Sequence, residues 1–569
     1  MITPNIWSGG QLFAFSALDG DSFCSDDFVG YLCADKIGIR FETKIKRELI
    51  LVNLKRKDLP KFKTVASDII TLSTKANDIN IIYANRHLIV GNTAGDSYFT
   101  VTTEGEHTVE KLKDCNIQNT NNGEFTGILK RGNKFAFAFG HSKEAVINLL
   151  NKGIEADIPR LIKQRLKIYE LNFLSEDNEY SMLYSKCLSV MKSQLYSPEG
   201  RLKKIWSTPD RLPHKYLWLW DSVFHSVGYR NINHSLAEDL ILDIFYAQKE
   251  NGFIPHMAGV EVESYVTQPP VIGWGAYLVY EKSQNKEFLK EVSQKNKKFL
   301  LWCANNRKKG EKELYTWFTE DYSLCRCGES GMDNSPRFDK DTVLEAIDFS
   351  CFMANETRIM AKIAGILEDA ENEAFFNEWY EKIKNDINQK LWSEKDGFYF
   401  DFDINNNELQ KIWTVASFLP ILAGICDSNQ TEKLIRHLTD KTRFYTEMPI
   451  PSVSKQDSNY SSDMWRGPVW LNYNYMVIKG LENCGYSSLA TEIAQKTVRS
   501  LNYWYKKSGT VFEYYDPDNL SSPATLDRKG AVFEPYDFNI RYQSVRDYGW
   551  SNTICLDLLH NELKRDAKN

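Results

Sequence analysis

The sequence predicts a mainly α protein, an (α/α)6 barrel preceded by an N-terminal β-sandwich-like domain. Three observations lead there. Apolar residues alternate with a period of two over the first ~140 residues and follow a helical period after about residue 175. The helical part separates into twelve segments. The connections between those segments alternate, one short and the next long.

Residues 1–141 form the expected β-domain. Its clearest strand is KFAFAFG at 134–140, which puts Phe135, Phe137 and Phe139 on one face and small alanines on the other. Gly132-Asn133, between that run and FTGILK, is a two-residue hairpin signal. ELILVNL at 48–54 and the pair INIIY and HLIVG around Asn85-Arg86 repeat the alternation. Residues 7–20, WSGGQLFAFSALDG, read either as a hairpin or as an arm reaching the mouth of the barrel. Residues 142–174, rich in Lys, Ile and Leu, read as a helical linker.

Residues 175–569 carry the barrel. Helices are expected at 178–196, 219–231, 233–248, 271–283, 287–304, 341–367, 371–391, 413–426, 429–439, 467–483, 487–506 and 549–562. Phe375, Trp379, Ile383, Ile387 and Leu391 recur every four residues, as do Leu236, Leu240 and Ile244, each making a stripe along one helix. Within 413–426, Pro420 breaks or restarts the helix, because proline has no amide hydrogen to donate. The connections after the odd-numbered segments are long: 197–218, 249–270, 305–340, 392–412, 440–466 and 507–548. Six helix hairpins closed in a ring would send all of them to one end. Long connections in a compact chain are uncommon unless they have work to do.

Composition narrows the function. Lys+Arg 70 against Asp+Glu 76, a net charge of −6 over 569 residues, provides no basic surface for a phosphate backbone. Apolar residues at 42% and charged ones at 26% make an ordinary globular mixture, which excludes disorder as the main theme. No apolar stretch approaches the ~20 residues that span a bilayer, and MITPNIWSGGQ lacks the basic start and apolar run of a secretory signal. The 11 cysteines show no disulfide framework, and Cys325 with Cys327 is too little for zinc. The expectation is a cytoplasmic protein with no metal, cofactor, nucleic-acid or membrane partner, its oligomeric state left open.

The unusual motifs fall in or beside the long connections: WLWDSVFH (218–225), GFIPHM (252–257), TQPP (267–270), ESGMDNSPRFD (329–339), DGFYFD (396–401), DMWRGPVW (463–470), FEYYDP (512–517) and DYGWS (547–551). All but TQPP join a polar or charged group to aromatic side chains. Sugars demand that mixture, since their ring faces stack on aromatics while their hydroxyls need carboxylates, amides and arginine. Each motif also has a plainer reading. Asp221 could cap a helix, Asp333 could make an Asx-turn, Arg466 could anchor the turn at Gly467-Pro468, and Glu513 could be a solvated strand residue. Gln268 could serve loop geometry, and Trp470 and Trp550 could be core. His256 has no metal-ligand partner at helical spacing. For the site to vanish, all the plain readings must hold together.

In order along residues 200–560, the set WDS-F, TQPP, SGMDNSPR, WRGPVW-N, EYYDP and GWS resembles glycoside hydrolase family 63. That family includes processing α-glucosidase I, bacterial α-glucosidases and hydrolases of mannosylglycerate and glucosylglycerate, and it shares a clan with trehalases. The resemblance implies an inverting, exo-acting α-glycosidase. Its substrate would be a small soluble α-glucoside or α-mannoside: a disaccharide, short oligosaccharide or glycosylglycerate. It implies Asp333 as general acid and Glu513 as general base. Trp220, Asp221, Gln268, Asn334, Arg466 and Trp470 match positions around the non-reducing sugar, with Trp550 of the GWS motif beside them. The β-domain is similar to the family's accessory domain in placement only.

The chemistry is consistent with those roles. Cleaving a glycoside with inversion needs a protonated carboxyl at the leaving oxygen and an ionised one activating water opposite, ~6.5–9.5 Å apart. Asp333 should then hold its proton through burial or through nearby negative charge, with Glu329 and Asp339 the candidate neighbours. Arg466 would clamp hydroxyls, since a guanidinium never gives its proton up. Segments 305–328 and 518–546 would shape the leaving-group side. Two other readings stay open: a phosphorolytic or lyase enzyme on the same barrel, and a catalytically silent carbohydrate-binding or scaffold protein, which should lack one of the carboxyls.

Overall fold

The computed structural model describes the whole chain except residues 1, 5–8, 34–36, 43–45, 54–60, 95–96, 212–213, 321–324, 530–542 and 567–569. It is helical with a β-rich N-terminal region and divides into two compact units.

The first unit comprises Met1–Glu199, Ser207–Lys215 and Trp504–Val511. Its strands are β1 (Leu12–Phe13), β2 (Val29–Leu32), β3 (Gly38–Glu42), β4 (Lys46–Asn53), β5 (Lys61–Val65), β6 (Ile69–Ser73), β7 (Asp78–Asn85), β8 (Leu88–Asn92), β9 (Ser97–Thr103), β10 (His107–Lys111), β11 (Cys115–Thr120), β12 (Phe125–Arg131) and β13 (Lys134–Gly140). They form two antiparallel sheets, ordered β1-β2-β3-β4-β9 and β10-β11-β12-β13-β8-β7-β6-β5. Phe13, Phe41 and Phe99 from the first sheet share one core with Phe135, Phe137 and Phe139 from the second. The Phe99 and Phe135 rings lie 3.7 Å apart. Gly132 turns the β12–β13 hairpin at φ +61, pairing Arg131 with Lys134.

The alanine face of β13 has its own use. Helix α1 (Lys143–Ile154) packs on β12, β13 and β8, with Gly153 close against Ala136, Leu88 and Val90. Burying Val146, Leu150 and Ile154 there is worth roughly 1.5–3 kcal/mol each. Residues 142–174, expected as a linker, thus carry docked structure: α1, then α2 (Ile158–Leu166), each begun by a side-chain cap, Ser142 and Asp157. Helix α3 (Ser181–Ser193) also belongs to this unit. Of the segment 7–20, positions 7 and 8 lie outside the described residues. The rest gives β1 and a turn whose Asp19 pairs with Arg165 and Lys192.

The second unit comprises Gly200–Trp206, Tyr216–Tyr503 and Phe512–Asn569. Its helices are α4 (Leu219–Tyr229), α5 (His234–Ile244), α6 (Ile272–Ser283), α7 (Lys286–Asn306), α8 (Ile347–Ile366), α9 (Ala370–Lys390), α10 (Leu419–Ala423), α11 (Ser428–Leu438), α12 (Leu471–Asn483), α13 (Ser487–Ser508, counted with the first unit from Trp504 on) and α14 (Gly549–Asp566). Helix α4 meets α6 and α14; α6 meets α8, α8 meets α10, α10 meets α12, and α12 meets α14. Helix α5 lies against α4 and α6, α7 against α6 and α8, and α9 along α8.

Four expectations need correction. Helix α8 starts at Ile347 rather than 341, because Leu344–Glu345 pairs as a strand with Asp401–Asp403. Helix α12 starts at Leu471 rather than 467, because Val469–Trp470 pairs with Tyr514–Tyr515. The helix expected over 413–426 shortens to α10: Pro420 restarts it, as expected, from the first turn, where its missing N–H costs nothing, and Gly424 at φ +68 ends it at once. The core stripe of α9 begins at Phe376, fully buried, while Phe375 is 38% exposed.

Candidate active site

The loop holding Asp333 is fixed by four tethers. Glu329, fully buried, accepts from Arg307 Nε (2.7 Å) and Nη2 (2.8 Å), from the Phe318 N–H (3.1 Å) and from the Thr267 N–H (3.2 Å). That joins this loop to the one carrying Gln268, whose Oε1 accepts from the Trp220 N–H (3.1 Å). Arg337, also buried, forks between two carboxylates: Nη1 and Nη2 to Asp348 (2.5 and 2.8 Å), Nε and Nη2 to Asp401 (2.6 and 2.8 Å). Asn334 donates to Asp463 Oδ1 (3.0 Å) and accepts from the Trp465 N–H (3.0 Å). Arg466 binds Asp339 through both terminal nitrogens (2.8 and 2.7 Å) and the Asn334 carbonyl (3.2 Å).

Asn334 and Arg466, expected to face the sugar, therefore spend their polar groups on holding the Asp333 loop. In the same loop lies Gly331 at φ +72, where a Cβ would come within 2.3 Å of Trp220 Cζ2. Only glycine fits a left-handed backbone pressed against an indole.

Glu513 stands at the foot of the Val469–Trp470 and Tyr514–Tyr515 ribbon, with its N–H donating to the Val545 carbonyl (2.9 Å). It is 2% exposed. Its Oε2 accepts from Arg528 Nη1 and from the Val545 N–H (3.3 Å). Its Oε1 has no hydrogen-bond donor among the described residues. The next residue along, Lys529, places its ammonium 2.6 Å from Asp333 Oδ2. The two carboxylates, 180 residues apart in sequence (513 minus 333), thus meet adjacent residues of one dipeptide.

That dipeptide reverses an expectation. Burial alone would raise the Asp333 carboxyl, but the Lys529 ammonium, with Arg528 behind it, outweighs burial and holds it below the usual carboxylate range. Neither expected anionic neighbour acts: Glu329 is neutralised by Arg307, and Asp339 by Arg466. Two other groups face Asp333. Burial pushes the Cys325 thiol, hydrogen-bonded to it, up to about 12. Burial pushes the His256 imidazole down to about 4, so it is neutral.

Trp220, Trp470 and Trp550 come together in one aromatic cluster. Trp550 lies 5.4 Å from Trp220 and 5.8 Å from Trp470. Trp470 stacks at 3.8 Å on Trp465, and its N–H donates to the Met464 carbonyl (2.9 Å). The Trp550 N–H has no acceptor among the described residues. Asp221 is buried in the first turn of α4, whose cap is Trp218, so helix capping does not account for it.

The sequence reading missed Arg528, Lys529, Asp463 and the Asp348–Arg337–Asp401 fork. Part of the segments expected on the leaving-group side, 321–324 and 530–542, lies outside the described residues. Among those described, no three His, Cys, Asp or Glu side chains gather as metal ligands would. No described helix is long and apolar enough to cross a membrane.

A buried carboxylate with one oxygen left open, a second carboxyl held by the same dipeptide and a wall of indoles suit the hydrolysis of glycosides. Residues 214–551 match the family model of the mannosylglycerate hydrolase MGH1-like glycoside hydrolase domain, and the chain belongs to that family, within glycoside hydrolase family 63. An uncharacterized protein of Borreliella burgdorferi is 32% identical over 44% of this chain and 51% of its own length, so the chain spans about half of that relative. A mannosylglycerate hydrolase of Thermus thermophilus is 24% identical over 53% of this chain and 89% of its own. The crystal structure of a family 63 mannosylglycerate hydrolase from the same species, in complex with Tris, superposes at a TM-score of 0.54, with 21% identity, over 66% of this chain and 99% of that one.

Proposed function

We propose that the second unit is an (α/α)6 barrel that hydrolyses the terminal sugar of a small α-mannoside or α-glucoside with inversion. The neighbour relations α4-α6-α8-α10-α12-α14-α4 support the barrel. One observation carries the chemistry: Asp333 and Glu513 meet the same dipeptide, and Glu513 keeps Oε1 open. Asp333 is the general acid, giving its proton to the leaving oxygen. Glu513 Oε1 is the general base, taking a proton from the attacking water. Arg528 and the Val545 N–H fix the orientation of that oxygen by binding its partner. The unused Trp550 N–H is left for a substrate hydroxyl, and the neighbouring indoles offer their faces to the sugar ring.

The Thermus relative's name makes α-mannosylglycerate the first substrate to test, with glucosylglycerate and trehalose beside it. Asp333→Asn and Glu513→Gln should each lower hydrolysis by about 10²–10⁴-fold, the usual worth of acid–base catalysis, while melting stays near wild type. NMR of the first product should show the inverted anomer. Near wild-type rates in either variant reject the roles, and a retained anomer rejects the mechanism.

Arg528 and Lys529 also favour one competing reading, in which phosphate attacks in place of water. Hydrolysis requires the same product with and without phosphate; a sugar phosphate formed only when phosphate is present selects the other.

A further inference from the structure

Lys529 is held on Asp333 by more than its side chain. Its backbone N–H donates to Asp463 Oδ1 (2.7 Å), the oxygen that also accepts from Asn334. Arg528 follows Asp527, whose carbonyl accepts from the Met464 N–H (3.2 Å) and the Tyr514 hydroxyl (2.7 Å). The dipeptide is therefore built into the site from two loops.

For a proton donor, an ammonium is the wrong partner, since it stabilises the ionised carboxylate. It also occupies Oδ2, one of the two oxygens from which Asp333 could protonate a leaving group. The arrangement suits the base and not the acid.

We infer that Lys529 is a positioning residue that occupies Asp333 in the empty site and is displaced by the leaving group of the bound glycoside, so that Asp333 takes up its proton from solvent only as substrate binds, while Arg528 stays on Glu513. This rests on the reading of Asp333 as the acid. Displacement leaves Asp333 facing the Cys325 thiol, the neutral His256 and, at longer range, Arg528, with burial then favouring the protonated form. A proton for the leaving oxygen is therefore at hand only when a glycoside is in place.

The test separates the free enzyme from the complex. The pH profile of kcat/KM reports groups in the free enzyme, and that of kcat reports groups in the complex. Lys529→Met should move the basic limb of kcat/KM upward by about 1–3 pH units, the range for an opposite charge at this distance. The basic limb of kcat should stay where it is. Lys529→Arg, which keeps the cation, should restore the wild-type kcat/KM limb. Lys529 is partly exposed, and melting curves check that each variant folds.

A second measurement needs no turnover. The ¹³C-carboxyl resonance of Asp333, assigned by its loss in Asp333→Asn, is titrated in the substrate-free chain and should move upward in Lys529→Met. Equal titration of Asp333 in wild type and Lys529→Met overturns the inference, whether or not any glycoside is cleaved. Limbs of kcat and kcat/KM that shift together overturn it too, because Lys529 would then remain on Asp333 in the complex. A wild-type chain that cleaves no glycoside while Lys529→Met raises the Asp333 titration overturns the proposed activity instead.

Discussion

Arg337→Met isolates what holds the acid loop. The guanidinium makes four charge-assisted hydrogen bonds of 2.5–2.8 Å to Asp348 and Asp401, and all three side chains are buried. Methionine fills similar volume but leaves two carboxylates facing each other without a cation. Removing one partner of a buried pair costs about 3–5 kcal/mol, a large share of the ~5–15 kcal/mol that stabilises a typical protein. At about 2 °C per kcal/mol for a large domain, the second unit should melt about 6–10 °C lower at pH 7.

The pH dependence distinguishes this from loss of packing. Burial already pushes Asp401 up even with Arg337 present. Without Arg337, which now opposes that rise, the Asp401 carboxyl would titrate further above the unfolded value of about 3.9. A raised folded value favours the fold below the unfolded value and costs stability as pH rises through the folded one. The gap between variant and wild type should therefore widen from pH 4 to pH 7. The assay is thermal unfolding followed by the fluorescence of the tryptophan cluster across that range. A gap under about 1 kcal/mol, or one that is flat with pH, refutes the reasoning.

Two further outcomes follow from other contacts. Gly331→Ala puts a methyl 2.3 Å from Trp220 and strains a backbone at φ +72, so steady-state hydrolysis should fall by about 10²-fold through displacement of the acid. Asp557→Asn breaks the buried pair with Arg230 (3.1 and 3.2 Å) that clamps α4 to α14. Arg230 holds Asp557 low against burial, which opposes it. That stability is therefore present at neutral pH and lost as pH falls below about 3.9 through the folded value. The variant should lose about 3–5 kcal/mol at pH 7, a deficit that closes in acid by the same melts.

The helices were legible because burial imposes a period on the sequence that local spacing preserves. Phe376 shows the limit of such spacing: a strict step of four drifts round the helix, and one residue on from Phe375 the core begins. The site motifs were legible as mixtures of aromatic and polar residues. What their polar atoms bind was not. Asn334 and Arg466 look the same in sequence whether they face a sugar or Asp463 and Asp339. Arg528 and Lys529 sit in a stretch without periodicity or motif, and their partners are 15 and 196 residues away (528 minus 513, 529 minus 333). The reversal at Asp333 has the same cause. The two carboxylates near it in sequence are neutralised by arginines, and the cation that touches it is remote in the chain.

The clamp between Arg230 and Asp557 joins residues 327 positions apart. A ribosome adding ~5–20 residues per second spends roughly 15–65 s between them. Throughout that interval the apolar flank of α4 that α14 will cover stays open to whatever else the cell offers. The nascent chain is thus exposed to misassembly for most of its synthesis, and an excess of holding chaperone should raise its yield more than that of a protein whose neighbours arrive in order.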